Sequence, residues 1–350
     1  MKIKREVLLK ALEAVKPGLA NKEFIEQATA FAFIKGSVVT YNDEISVSYP
    51  IEGLDIEGAI KADELYALLT KIKARTKDDP DEVELTVNEN EVLLTSGTRL
   101  KAGFTLQSEV KLPLKEELAK KSKWVNLPED FIAGLEFVKP SVARQVFNQP
   151  VLTCVHVHKD GYIEASNGHR LAYFALANPM GVETFLIPLS SLPDLIRFKP
   201  NQVATGHGWM HFKSAGDAII SCRIFADPFP DTSALKNVEG KVLSIADPQL
   251  LDEAIDRASV FAQRDIESKE FIRFDISENQ ITVSSTLETG GRFEESVRFK
   301  YSGKPFSFTT SPSVVQGVFT KDKTVTISDN RLKWEKDNWL IVGVLKVTKE

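Results

Sequence analysis

Ala165-Ser166-Asn167-Gly168-His169-Arg170-Leu171-Ala172 lies near the middle of the chain, where a run with the period of a strand meets a turn. Ala165-Ser166 closes an alternating apolar run. Asn167-Gly168 is a turn pair, because both residues tolerate positive φ. Leu171-Ala172 opens an apolar return, so the stretch reads as a β-hairpin. Upstream, His156 and His158 alternate and fall on one strand face.

Working outward, the same grammar occurs three times at a spacing of roughly 120 residues, a common domain size. Each unit has two helix-like segments, each followed by strand-like runs. In the first, Arg5 to Lys16 is helical with Leu8, Leu12 and Val15 on one face, and Pro17-Gly18 ends it. Ala62 to Arg75 follows, with Leu65, Leu68, Leu69 and Ile72 on its stripe. In the second, the helices span Pro128 to Val138 and Leu189 to Phe198. In the third, Asp247-Pro248 is a cap and first-turn pair opening a helix through Leu251, Ala254, Ile255 and Ala258. Ser311-Pro312 repeats the device before Val315, Val318 and Phe319. Hairpin patterns appear at Glu82–Leu94 and Thr324–Trp334. Linkers rich in Pro, Gly and charge fall at Leu112 to Lys123 and at Pro228 to Gly240. The expected class is α+β: three repeated domains over 1–120, 121–237 and 238–350, each with two helices packed on antiparallel sheet.

With 350 residues the chain is too long for one ordinary core. No run of eighteen apolar residues occurs, so no membrane span is expected, and the start Met1-Lys2-Ile3-Lys4-Arg5-Glu6 lacks a signal-peptide core. Cys154 and Cys222 stand far apart and read as core residues of a reducing compartment, which points to the cytoplasm. The formal net charge of −5 argues against a uniformly basic nucleic-acid binder, but the local field at the phosphates decides that matter, not the sum. There is no phosphate-cradling glycine loop, nucleophile elbow or His-Glu-x-x-His, so neither cofactor nor metal is expected. His156 and His158, with His207 and His211, leave a metal-dependent hydrolase as the enzymatic alternative.

The central stretch is similar to the Thr/Ser-Asp/Asn-Gly/Ser-His-Arg-Leu-Ala signature of the bacterial DNA polymerase III beta sliding clamp family. Arg5-Glu6-Val7-Leu8-Leu9-Lys10-Ala11-Leu12 resembles its opening helix. Pro150-Val151-Leu152-Thr153, Phe229-Pro230-Asp231, Ile276-Ser277-Glu278-Asn279-Gln280 and Tyr301-Ser302-Gly303 resemble later segments in the same order. Two departures make the resemblance that of a divergent clamp, for instance one of phage type: Phe24-Ile25-Glu26-Gln27 replaces a Pro-Ile-Leu-like stretch, and Trp339-Leu340-Ile341-Val342-Gly343-Val344-Leu345-Lys346-Val347, with three further residues, stands in place of a Met-Pro-Met/Val-Arg-like strand.

The resemblance implies a non-enzymatic processivity factor. Two chains close head to tail into a ring that encircles double-stranded DNA without reading sequence, and a groove tethers a replicative polymerase and a clamp loader. The location implied is the bacterial cytoplasm and nucleoid, or a host cytoplasm for a phage protein. Candidate DNA contacts are Lys10, Lys71, Lys73, Arg75, Lys139, Arg144, Arg197, Lys199, Arg257 and Arg264, on or just after the helices. Each also reads as a helix C-terminal charge complementing the macrodipole. The implied groove uses Leu152, Ser166, Gly168, His169, Leu171, Leu235, Leu340, Val342 and Val344, which otherwise read as strand and linker apolars. Phe104, Val260 and Phe261 match the apolar ring contacts, with plain core packing as the alternative. A monomeric clamp-fold protein that sequesters a replication partner is the remaining reading.

Overall fold

The computed structural model describes residues 1–73, 81–113, 123–145, 148–262, 271–287 and 290–346. Helices with four or more residues are α1 (Arg5–Val15), α2 (Ala62–Lys71), α3 (Phe131–Val138), α4 (Leu192–Phe198), α5 (Ser233–Lys236), α6 (Pro248–Ser259) and α7 (Pro312–Val315). Short 3-10 turns and α5 aside, the order strand, helix, four strands, helix, three strands occurs three times among the described residues. Strand pairing is antiparallel throughout the registers that follow.

The chain divides into two compact units. The first comprises Met1–Ile132, His158–Asp160 and Ala177–Ala226. Its larger sheet runs in the order Gly58–Lys61, Ala30–Ile34, Ser37–Tyr41, Ile45–Pro50, Ile219–Arg223, Trp209–Lys213, Gln202–Thr205, Val125–Asn126. The join is the pairing of Ser48 with Ile219 through Ile45 with Cys222, so strands more than 170 positions apart share one ladder. A second sheet orders Lys2–Lys4, Glu82–Asn88, Glu91–Ser96, Leu100–Thr105. The apolar stripe of α1 (Leu8, Ala11, Leu12, Val15) is fully buried. This is the outcome of its i, i+3/i+4 spacing.

The second unit comprises Ala133–Val157, Gly161–Leu176 and Asp227–Glu350. Within it, Cys154–His158, Tyr162–Ser166, Arg170–Ala175, Trp339–Val344, Arg331–Lys336, Thr324–Ile327 and Lys241–Ser244 are successive neighbours. The other sheet orders Arg292–Arg298, Gln280–Thr286, Ile272–Ile276, Phe306–Thr310. In α6, Asp247 Oδ1 accepts from the Leu250 amide at 3.1 Å, the capping that Asp-Pro foretells.

Several boundaries move. The second helix ends at Lys71, because Ile72 turns extended (ψ 131°) and buries its side chain. Lys73 therefore follows the helix, and Arg75 lies outside the described residues. The third helix starts at Phe131, three residues after Pro128. The Ser311-Pro312 segment makes a single turn of α-helix: Gln316 is extended and Gly317 takes φ +67°. The Ser311 hydroxyl meets that of Ser313 and caps no backbone amide. The linker after Pro228 contains the helical turn α5.

Candidate partner groove and basic surface

The central stretch is a hairpin joining Tyr162–Ser166 to Arg170–Ala175. Gly168 adopts φ +84°. Asn167 Oδ1 accepts from the amides of His169 (3.0 Å) and Arg170 (2.8 Å), and Ser166 Oγ from that of Gly168 (3.2 Å). The turn is thus held by its own short polar side chains.

Register decides what the hairpin presents. Leu171 pairs with Val342 and Tyr173 with Leu340, while Ser166 pairs with Leu171 and Glu164 with Tyr173. Directly opposed residues in an antiparallel ladder share a face. That face carries an apolar cluster of Leu171, Val238, Leu340 and Val342, with Tyr173 and Leu235 half-buried against it. The C-terminal strand and the linker after Phe229-Pro230-Asp231 therefore meet the hairpin here. Val344, 44% exposed, continues the strand at the rim. Its backbone is fixed by the His169 carbonyl (2.8 Å) and the Thr310 hydroxyl (2.9 Å). His169 itself is exposed beside it. Leu152 is buried in a 3-10 turn outside this cluster.

Arg170, between His169 and Leu171, points to the opposite face. Its guanidinium is buried and donates to the Gln316 carbonyl at 3.4 Å. Desolvation lowers its pKa to about 10 against the pull of Asp252.

Four residues that the sequence did not single out complete the groove: Tyr173, Val238, Lys236 and Glu164. Glu164 is 2% exposed. Its Oε1 lies 2.9 Å from His156 Nδ1, and its Oε2 accepts from Thr232 Oγ1 at 2.7 Å and Lys236 Nζ at 3.1 Å. His156 stacks on Phe229 at 4.9 Å, and Lys236 lies over Tyr173 at 4.1 Å. One carboxylate thus fastens the linker from Phe229 to Lys236 onto the sheet and sets the wall that carries Leu235. Alternation places Glu164 with Tyr162 and Ser166, on the face opposite Ile163 and Ala165, so its burial under the linker left no mark in the sequence.

The basic residues divide by their partners. In the first unit, Lys10 and Arg197 share a cleft of about 580 Å³ with Lys16, Tyr49 and Tyr66. Lys16 Nζ sits 4.1 Å above the Tyr66 ring, and Arg197 is tied to Asp194 at 2.6 Å. Lys71, Lys73 and Lys199 are exposed; Lys199 is the left-handed C-cap of α4 (φ +48°). In the second unit, Lys139 is half-buried in the 3-10 turn after α3, and Arg144 is exposed. Arg257 forms a fork on Glu295, with both bonds at 2.8 Å, and reaches Glu253 at 3.7 Å. Its charge is engaged within the fold. Arg264 lies outside the described residues.

Phe104 is 5% exposed and pairs with Val92, so it is a core residue of its own unit. Val260 is 71% exposed, and Phe261 stacks on Phe293 at 5.9 Å. The histidines have structural neighbours: His211 Nδ1 meets Ser221 Oγ at 2.8 Å, and His158 Nδ1 lies 3.5 Å from Asp160. Among the described residues, no group of three or more His, Cys, Asp or Glu is placed to hold a metal, and no helix is long and apolar enough to cross a membrane.

No protein-family model matches the chain, and no curated protein sequence does. Solved structures do. The beta subunit from the DNA polymerase of Streptococcus pyogenes matches with a TM-score of 0.85 at 18% identity, over 99% of both chains. The DNA polymerase III beta subunit of Pseudomonas aeruginosa gives 0.84 at 17% identity, over 99% of this chain and 100% of that one. The sliding clamp of Bacillus subtilis gives 0.79 at 19% identity, over 99% of both. Across nearly its whole length, this chain has the α+β fold of the DNA polymerase III beta sliding clamps.

Proposed function

We propose that the chain is a DNA polymerase processivity factor: a non-enzymatic sliding clamp that encircles duplex DNA as a homodimer and tethers replication proteins through the Leu171–Val342 groove. The three-fold element order supports reading it as three modules, 1–120, 121–237 and 238–350. Among the described residues, Leu100–Thr105 and Arg292–Arg298 are sheet edges with a neighbour on one side, and exposed edges invite pairing with another chain. By the logic of the internal ladders, the first edge of one copy pairs antiparallel with the second edge of its partner. A head-to-tail contact of this kind closes a ring when the rotation does. Val260 and the Phe261–Phe293 stack lie beside the second edge.

Lys10, Lys71, Lys73, Lys139, Arg144 and Lys199 form no ion pair among the described residues. Such side chains give sequence-independent, salt-sensitive attraction to phosphates and position a duplex without reading bases. Arg197 joins them once its contact with Asp194 exchanges. The partners are double-stranded DNA, a replicative polymerase and a clamp loader, in the cytoplasm of a bacterium or of a phage-infected host.

The observation that carries the proposal is the clamp fold, with Leu100–Thr105 and Arg292–Arg298 standing at sheet edges among the described residues. Sedimentation should give twice the 39.0 kDa chain mass. Protein assembled on nicked circular DNA should stay bound until the circle is cut. A monomer, or equal retention on linear and circular DNA, overturns it.

A further inference from the structure

The strand Arg331–Lys336 flanks the groove strand, with Arg331 opposite Val344 and Lys333 opposite Val342. Both cations therefore stand on the groove face, one strand spacing (about 4.8 Å) from the apolar floor. Their charges differ in what they meet. Lys333 Nζ holds Glu335 at 2.7 Å, and Lys236 Nζ is held by Glu164 at 3.1 Å. Arg331 meets no carboxylate among the described residues. Its Nη1 donates to the Ala234 carbonyl in α5 at 3.1 Å, and a guanidinium has five N–H donors in a fixed fork. A neutral carbonyl thus orients a half-buried cation beside the helical turn that carries Leu235. Of these three cations, Arg331 is the one whose contact among the described residues is a neutral carbonyl.

We propose that the groove selects a short extended peptide combining apolar anchors with an acidic side chain, whose carboxylate meets Arg331 at the Val344 end. This rests on the groove reading above. A carboxylate matches the guanidinium fork with two parallel bonds, which a lysine in that place would not reproduce. Apolar side chains fill the floor and the charge fixes orientation, the division of labour expected of a peptide site.

The probes are fluorescein-labelled, C-terminally amidated hexapeptides. Leucine and phenylalanine stand at two positions and glycine elsewhere, with one aspartate, asparagine or lysine walked through the remaining places. On the full chain at low salt, one position should favour aspartate over asparagine by roughly 3- to 10-fold, in line with a charge-assisted pair. The preference should vanish in Arg331→Gln and pass to lysine in Arg331→Glu, while thermal melting of both variants stays near wild type. An unchanged preference in Arg331→Gln overturns the proposal, as does a preference seen only when the C-terminal amide is replaced by a free carboxylate. Peptides that bind without any carboxylate preference, and are lost in Val342→Asp, sink the acidic selection and leave the groove standing. No binding to the wild-type chain sinks both.

Discussion

Burial alone would push the Glu164 carboxyl up; hydrogen bonds from His156 and Thr232 and the Lys236 ammonium outweigh it and hold the group below its ordinary 4.5. A folded value below the unfolded one contributes stability that is present above the unfolded pKa and is lost as pH falls through the folded value. Glu164→Gln should therefore cost about 1–3 kcal/mol at pH 7, the range for a charged hydrogen-bonding partner removed from a buried site. On acidification below 4.5 the gap to wild type should close. Paired thermal melts from pH 7 to pH 3 check this, and a constant gap would show that packing, not ionisation, sets the cost. Gly168 makes the complementary case. A Cβ there meets nothing within 4 Å, so Gly168→Ala isolates the strain of φ +84° and should cost about 1 kcal/mol in a urea melt. Its need for glycine was legible from Asn167-Gly168. The destination of Arg170 was not: alternation sends it to the face opposite Leu171, and a signature in one dimension does not say which face a partner uses.

At the scale of elements, local chemistry announced itself and long pairing did not. The α1 stripe, the Asp247 cap and the hairpin at Asn167 depend on neighbours within a few positions, and each formed where expected. The end of α2 and the single-turn α7 departed, because Ile72 and Val318 follow their buried contacts and helix propensity is a weak prior against tertiary packing. The groove depends on Leu171 facing Val342, a pairing no periodicity encodes. Arg331 and Lys333 were invisible as groove residues for the same reason. The divergent end of the chain gains a physical account here. A Cβ on Gly343 would stand 2.1 Å from Val314 Cγ1, so this glycine lets the last strand sit tight against α7. Gly343→Ala should overpack the contact and destabilise by about 1–3 kcal/mol. It should also weaken peptide capture, since Val342 and Val344 flank the site; an unshifted melt would show that Val314 yields freely.

At the scale of the whole molecule, the net charge of −5 is no guide to the local field: Glu164 with Lys236 and Glu295 with Arg257 cancel within the fold and leave the sum unchanged, so under the proposed function what counts is where the remaining charges stand. Under the proposed function, the cations without an ion pair among the described residues carry the salt response. Each phosphate contact removed lowers the slope of log K against log salt by about 0.9. Replacing Lys10, Lys71 and Lys73 together by glutamine should therefore flatten the slope for a short duplex by up to about 3, with no change in sequence preference. Ring closure makes the sharper demand. Val260 is 71% exposed in a chain whose other helix apolars are mostly buried, and it sits next to the free edge Arg292–Arg298. If a second copy covers it, burying that side chain contributes about 1.5–3 kcal/mol to association. Val260→Asp should then weaken dimerisation by at least about 10-fold in sedimentation equilibrium, while the melt of the isolated chain moves within about 0.5 kcal/mol, as for a surface change. Retention on circular DNA should fall in parallel with the dimer fraction, because encirclement needs both copies at once. A variant that dimerises like wild type would place the contact elsewhere along the edge and remove Val260 from the interface.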